Sequence, residues 1–74
     1  MRLFMRFEYF ADTDTLYITL REGPGVDAHE AADGVVLDLD AEGRVVGIEM
    51  EHASERADLD SFQLSSFPLR TAAA

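Results

Sequence analysis

Alternation of apolar and polar residues is the feature of this chain that most restricts what it can fold into. Positions 3, 5, 7 and 9 are apolar or aromatic, whereas Arg6 and Glu8 stand between them. The same alternation returns at positions 16–20, 35–39 and 46–50. It is typical of β-strands with one buried face, because successive side chains of a strand point to opposite sides of a sheet. The pattern therefore predicts a sheet with one apolar face.

Turn-forming residues separate the alternating segments and indicate antiparallel connections. They occur at positions 11–14, 22–25, 33–34 and 42–43. Asp12 and Asp14 in the first of these segments are typical of Asx turns, with cation binding as the alternative. Residues 26–32, VDAHEAA, show no clear alternation and predict a short, irregular edge strand.

Keeping the apolar side chains on one face sets the strand register. The expected pairs are Phe7 with Ile18, Tyr9 with Leu16, Val35 with Met50, Leu37 with Ile48, and Leu39 with Val46. We expect an α+β, mainly β fold: an antiparallel meander of about four strands with a short C-terminal helical or irregular segment. It forms a single domain over residues 1–74.

The C-terminal part of the chain loses the alternation. Ser54 is a candidate helix cap with Glu55 in the first turn, and the spacing of Leu59 and Phe62 is compatible with one or two helical turns. Pro68 ends any helix before it. Four large apolar residues in this part either form a partner-binding strip or cover the protein's own sheet. They are Phe62, Leu64, Phe67 and Leu69.

Size and charge narrow the classes of partner. The chain has 74 residues and no cysteine, so no disulfide can stabilise its small core. We therefore expect the chain to gain stability by self-association as a homodimer. The net charge is −9, from 15 acidic residues against six arginines that form no cluster. Such a chain is a poor ligand for nucleic acid or an anionic membrane and suits a basic protein partner. Nothing in it is typical of a signal peptide or a membrane span, and we expect a cytoplasmic protein.

The stretch from Asp38 to Glu49 resembles the spacing of a calcium-binding EF-hand loop. Asp38, Asp40 and Glu42 fall at its first three ligand positions, with Gly43 at the turn and Glu49 at the last ligand position. An EF-hand needs a helix on each side, whereas the residues on both sides of this stretch alternate like strands. We therefore predict a hairpin with an acidic turn, in which the carboxylates cannot converge on one ion.

Two histidines are the candidates for acid–base chemistry or nitrogen ligation. His29 and His52, together with Glu49, would form a metal or acid–base site if the strand order brought them together. The alternative is two solvated histidines near strand ends, which the absence of a metal-binding spacing favours. The serines lack a nucleophile motif, and the glycines form no phosphate-binding loop.

Several blocks of residues together resemble one known family. They are Tyr9, residues 14–18 (DTLYI), residues 33–38 (DGVVLD), residues 43–49 (GRVVGIE) and residues 53–54 (AS). Over residues 7–54 the chain resembles the small bacterial family catalogued as domain of unknown function 2283. The resemblance implies a compact antiparallel β-domain, with no established activity, cofactor or catalytic residue. Some relatives occur beside toxin-like genes, which implies an antitoxin-like role.

The C-terminal extension, residues 55–74, departs from this family. Members of the family continue into a helix after the region of resemblance, whereas in this chain the residues SSFPLR, at positions 65–70, interrupt a helix. The primary hypothesis is a non-catalytic protein-interaction module that uses no cofactor, with an antitoxin-like role as its more specific form. The alternative is a small metal-binding protein or metal-dependent enzyme that uses His29, His52 and nearby carboxylates.

Overall fold

The computed structural model describes residues 4–68, which form one five-stranded sheet followed by a short helix. The elements are β1 (Arg6–Phe10), β2 (Thr15–Thr19), β3 (Asp27–Ala32), β4 (Val35–Leu39), β5 (Val45–Met50) and α1 (Ala53–Arg56). The strand order is β1-β2-β5-β4-β3, and every neighbouring pair is antiparallel. The mainly β, antiparallel fold is confirmed, with five strands where about four were expected.

The sheet consists of two locally connected units. One is the hairpin β1–β2, and the other is the run β3–β4–β5, which joins the first where β5 pairs with β2. Four expected cross-strand pairs are confirmed. They are Phe7 with Ile18, Tyr9 with Leu16, Val35 with Met50, and Leu37 with Ile48. The junction of the units continues the same register, since Ile18 also lies opposite Ile48.

A bulge after Asp38 overturns the fifth expected pair. Leu39 lies opposite Val45 and not opposite Val46. A bulge sets two residues of one strand against one residue of the other, and the alternation of apolar residues carries no sign of it. Val46 is only 5% exposed, and the amide of Leu20 donates a hydrogen bond of 2.9 Å to its carbonyl oxygen.

The strand β3 forms one edge of the sheet, and all six of its residues are exposed. Its register with β4 shifts between Glu30 and Ala32, which confirms the prediction of an irregular edge strand. Charged residues such as Asp27 and Glu30 on an edge strand discourage its pairing with another chain.

The helix α1 begins after His52, whose backbone is left-handed with φ of 54° and whose side chain makes no capping hydrogen bond. The prediction that Ser54 caps a helix is wrong, because Ser54 lies inside α1. The helical turns expected around Leu59 and Phe62 are also absent, and residues 57–68 contain no helix or strand. This part of the C-terminal extension is irregular.

Strand alternation and register divide the sheet into two faces. The apolar face is formed by Phe7, Tyr9, Leu16, Ile18, Val35, Leu37, Ile48 and Met50. The opposite face carries Glu8, Tyr17, Thr19, Val36, Asp38, Gly47 and Glu49. Among the hydrophobic residues that the structure describes, only Val46 and Ala53 are buried. The sheet therefore lacks a core formed by its own apolar face.

Candidate interaction surface

The apolar face extends over four adjacent strands, β1, β2, β5 and β4. Its residues on the three inner strands are only partly buried, and on the outer strand Phe7 and Tyr9 are each 47% exposed. A sheet normally buries its apolar face against a second layer of structure. In residues 4–68 no helix or second sheet lies over this face, because α1 is one turn long and the remainder of the extension is irregular.

The extension approaches this face beside β1. The ring of Phe62 packs edge-to-face against Phe7, with ring centroids 5.3 Å apart and an interplanar angle of 64°. Met5, Leu64 and Phe67 join these two rings around a cleft of about 200 Å³. Phe62 nevertheless remains 69% exposed.

Three of the four residues predicted as a partner-binding strip or sheet cover therefore lie at the margin of the apolar face. Phe62, Leu64 and Phe67 line the cleft beside β1 while staying largely exposed. Leu69, the fourth, lies outside the described residues. The extension borders the apolar face, and the apolar residues of the inner strands remain partly exposed.

Asp14 fastens the β1–β2 turn to the start of α1. Its carboxylate accepts hydrogen bonds from the Tyr9 hydroxyl (2.7 Å), the Ser54 hydroxyl (2.7 Å) and the Ser54 amide (3.1 Å). Its backbone carbonyl accepts one from the Ala53 amide at 2.9 Å. Asp14 thus satisfies helix-start amides that would otherwise lack partners, which is the role that the sequence assigned to Ser54.

The hydrogen bonds of Asp14 change the acidity of the groups that share them. The bond from Tyr9 and then the one from the Ser54 hydroxyl hold the pKa of Asp14 below its ordinary value. The same bond to Asp14 raises the pKa of Tyr9. The prediction that Asp14 makes an Asx turn missed this role. Tyr9, Asp14 and Ser54 all fall within the blocks that carry the family resemblance, and that coincidence was the available signal.

Arg56 holds the other end of α1 against the β3–β4 turn. Its Nε donates to the carbonyl oxygen of Glu51 at 2.7 Å, and its guanidinium also donates to the carbonyl oxygen of Asp33. Gly34 completes this turn with φ of 82°, a left-handed conformation that glycine adopts without steric strain. Asp14 and Arg56 together fix where the extension leaves the sheet.

On the opposite face, Tyr17 reaches across β5 to Asp38 on β4. Its hydroxyl donates to Asp38 Oδ2 at 2.5 Å. This hydrogen bond, followed by desolvation and the charge of Asp38, raises the pKa of Tyr17 to about 12. Gly47 lies between the two residues, opposite Thr19 on one side and Asp38 on the other.

The stretch that resembles a calcium loop is a β-hairpin, as predicted. Asp40 accepts hydrogen bonds from the amides of Glu42 and Arg44, each at 2.9 Å, and from Arg44 Nε at 3.0 Å. These bonds, with the one from the Arg44 amide first, lower the pKa of Asp40. Asp40 thereby closes the turn between β4 and β5.

The candidate metal ligands lie on different elements. His29 is on the edge strand β3 opposite Leu37, Glu49 is in the central strand β5, and His52 precedes α1. Within residues 4–68, no three His, Cys, Asp or Glu side chains are grouped so that they could hold a metal ion. Nor does this part of the chain contain a helix with the length and apolar character needed to cross a membrane.

The fold and its surface define a small antiparallel β-domain with one open apolar face, fastened at one end by Asp14 and Arg56. The chain belongs to the family described as Protein of unknown function (DUF2283), whose model matches residues 6–54, about two thirds of its length. Comparison with curated proteins and with solved structures found no match.

Proposed function

We propose that this protein is a non-catalytic protein-interaction module that completes its core by binding another protein surface on its apolar face. The observation that carries the proposal is the small number of buried hydrophobic residues, Val46 and Ala53, in the described part of a 74-residue chain. A contiguous exposed apolar surface of this kind usually marks an interface.

The energetics of burial support the same proposal. Full burial of a Leu, Ile, Val, Phe or Met side chain contributes about 1.5–3 kcal/mol relative to exposure. A domain of this size has a net stability of only about 3–5 kcal/mol from a single core. Phe7 and Tyr9, each 47% exposed, and the six partly buried residues of the inner strands would each gain a fraction of this free energy on being covered, so binding and folding are expected to be linked.

The charge distribution supports a basic partner for an antitoxin-like role. Glu8, Asp38 and Glu49 lie on the opposite face, within a chain of net charge −9. Such a surface accelerates encounter with a positively charged protein, and the acceleration weakens as salt is added.

Two phenylalanines of β1 provide a matched test. Phe7 belongs to the apolar face, Phe10 points to the opposite side by strand alternation, and each is 47% exposed. A photoreactive phenylalanine analogue at position 7, in protein expressed in its native cell, should form a covalent adduct with another protein chain on illumination. The analogue at position 10 should form far less.

Comparing the adduct yields at positions 7 and 10 distinguishes binding at a specific surface from non-specific association. Equal adduct yields at positions 7 and 10 would indicate collisions without a defined surface, and absence of an adduct at position 7 would contradict the proposal. Mass spectrometry of the adduct identifies the captured chain.

A further inference from the structure

We infer that the apolar face is occupied by a second copy of this chain, packed face to face about a two-fold axis. This inference rests on the proposed function, since it names the partner of the same surface. It is argued from the distribution of charge over the two faces and from the area that the face offers.

Charge distinguishes a second copy from a basic partner at this face. Two chains of net charge −9 repel each other, so a stable contact between them requires a surface without carboxylates. The eight residues of the apolar face include no charged side chain, while Glu8, Asp38 and Glu49 point to the opposite side. These eight residues offer a basic protein no carboxylate to pair with, since Asp14 lies in the β1–β2 turn and Asp27 on the edge strand.

The edge strand β3 marks where the uncharged surface ends. Asp27 and His29 lie opposite Leu39 and Leu37 and so share the side of the apolar face. Both are exposed on the edge strand, outside the eight residues that define the face. In a face-to-face pair they would lie at the rim, where water continues to solvate them.

The dimensions of the face indicate that the C-terminal extension takes part. Four strands spaced about 4.8 Å apart, each with five residues rising about 3.3 Å, cover roughly 300 Å² in plane. A standard interface buries about 800 Å² of accessible surface on each partner. Side chains that project from the sheet make its accessible surface larger than its area in plane. The exposed apolar residues Phe62, Leu64 and Phe67 at the margin of the face extend this surface further.

Sheets that pack face to face lie about 10 Å apart, with their strands within about 30° of each other. Two copies in this arrangement form a sandwich with one shared core. A two-fold pair uses the same surface on both copies, so it closes after two chains and leaves no apolar face open.

The oligomeric state of the full chain tests the inference. Sedimentation equilibrium at micromolar concentration should give twice the 8.2 kDa mass of one chain. The melting temperature should rise with protein concentration, because dimerisation is linked to folding. A single 8.2 kDa species at all concentrations, or an assembly larger than two chains, would overturn the inference.

Matched variants locate the interface. Phe7→Glu should shift the equilibrium toward monomer by at least tenfold, whereas Phe10→Glu should leave the dimer intact, and equal exposure of the two residues makes them comparable in folding. Phe62→Glu, in the irregular extension, should also weaken the dimer without changing the strands. An intact dimer in both Phe7→Glu and Phe62→Glu would overturn the face-to-face arrangement.

The mass of the adduct at position 7 separates this inference from the proposed function. An adduct of two identical chains supports both. If the adduct contains a different protein and the purified chain is monomeric, the result supports the interaction module and contradicts the dimer. A monomeric chain without any adduct contradicts both.

Discussion

Replacing Gly47 by alanine tests how the opposite face is organised. A Cβ at this position would lie 2.8 Å from Cζ of Tyr17 and closer still to its hydroxyl oxygen, whereas ordinary contacts begin at 3.4 Å. The phenol ring must therefore move away from β5. The Tyr17 hydroxyl is 2.5 Å from Asp38 Oδ2, so a displacement of the ring weakens or breaks this hydrogen bond.

Two opposing effects determine how far Gly47→Ala changes the free energy of unfolding. A hydrogen bond to a charged group contributes about 1.5–3 kcal/mol, and Gly47→Ala would forfeit most of that. Alanine is favoured over glycine inside a strand by about 0.5–1 kcal/mol, because the unfolded chain has less freedom to lose. We expect Gly47→Ala to lower the free energy of unfolding by about 1–2 kcal/mol, as the difference of the two effects.

In a chain without the Tyr17 ring, we expect Gly47→Ala to change the free energy of unfolding in the opposite direction. In a Tyr17→Val chain the ring is absent, so Gly47→Ala should raise the free energy of unfolding by about 0.5–1 kcal/mol. Urea unfolding of the four chains at one fixed protein concentration measures both changes and their coupling. If Gly47→Ala changed the free energy of unfolding by the same amount and in the same direction in both backgrounds, the reasoning would be refuted. The substitution would then act independently of the Tyr17 ring.

Three further predictions follow from individual hydrogen bonds. The pKa of Asp14 is depressed in the fold, so its contribution to stability is present above the ordinary aspartate pKa of about 3.9 and lost as the pH falls below it. The difference in urea midpoint between wild type and Asp14→Asn should therefore shrink in acid, and a constant difference would contradict this. The raised pKa of Tyr17 means that its contribution is complete below the ordinary tyrosine value of about 10 and is lost as the pH rises toward about 12. Tyr17→Phe should thus lose less stability than wild type over that alkaline range, with similar losses counting against the assignment. Millimolar calcium should leave the melting temperature unchanged, since Asp40 already accepts three hydrogen bonds within its turn. A large rise that Glu49→Gln abolishes would reverse the hairpin interpretation.

The features of this fold that the sequence predicts are those set by neighbouring residues. Alternation identified β1, β2, β4 and β5, and a shared apolar face was enough to pair Phe7 with Ile18 and Leu37 with Ile48. Turn chemistry placed the connection at Gly34, where the backbone is left-handed. Each of these signals lies within a segment of a few residues and needs no knowledge of the remaining chain.

The features that escaped prediction depend on residues far apart in sequence. Asp14 and Ser54 are 40 residues apart, and the contact between them replaces the local cap that the sequence suggested. The pairing of β2 with β5 likewise joins segments about 30 residues apart, and alternation alone carries no information about strand order. One local feature also escaped prediction, because the bulge after Asp38 changes the register by one residue with no mark in the hydrophobic pattern.

The two faces of the sheet differ in how far the chain itself covers them. On the opposite face Tyr17 lies over Gly47, and the loop before β3 approaches so closely that a Cβ on Gly25 would lie 3.3 Å from the Cβ of Asp38. The same Cβ on Gly25 would lie 3.9 Å from Cγ2 of Val46, which is one of the two buried hydrophobic residues of the described chain. On the apolar face the ring of Phe62 packs against Phe7 on the outer strand β1, and the apolar residues of the inner strands remain partly exposed, although they gain more from burial than polar ones do.

This asymmetry bears on where a partner binds. The chain places the loop before β3 and the hydrogen bond from Tyr17 to Asp38 on the face that carries Asp38 and Glu49. The eight residues of the apolar face carry no charge and would be stabilised by further burial, so a second acidic chain can cover them without bringing Glu8, Asp38 and Glu49 of the two copies together.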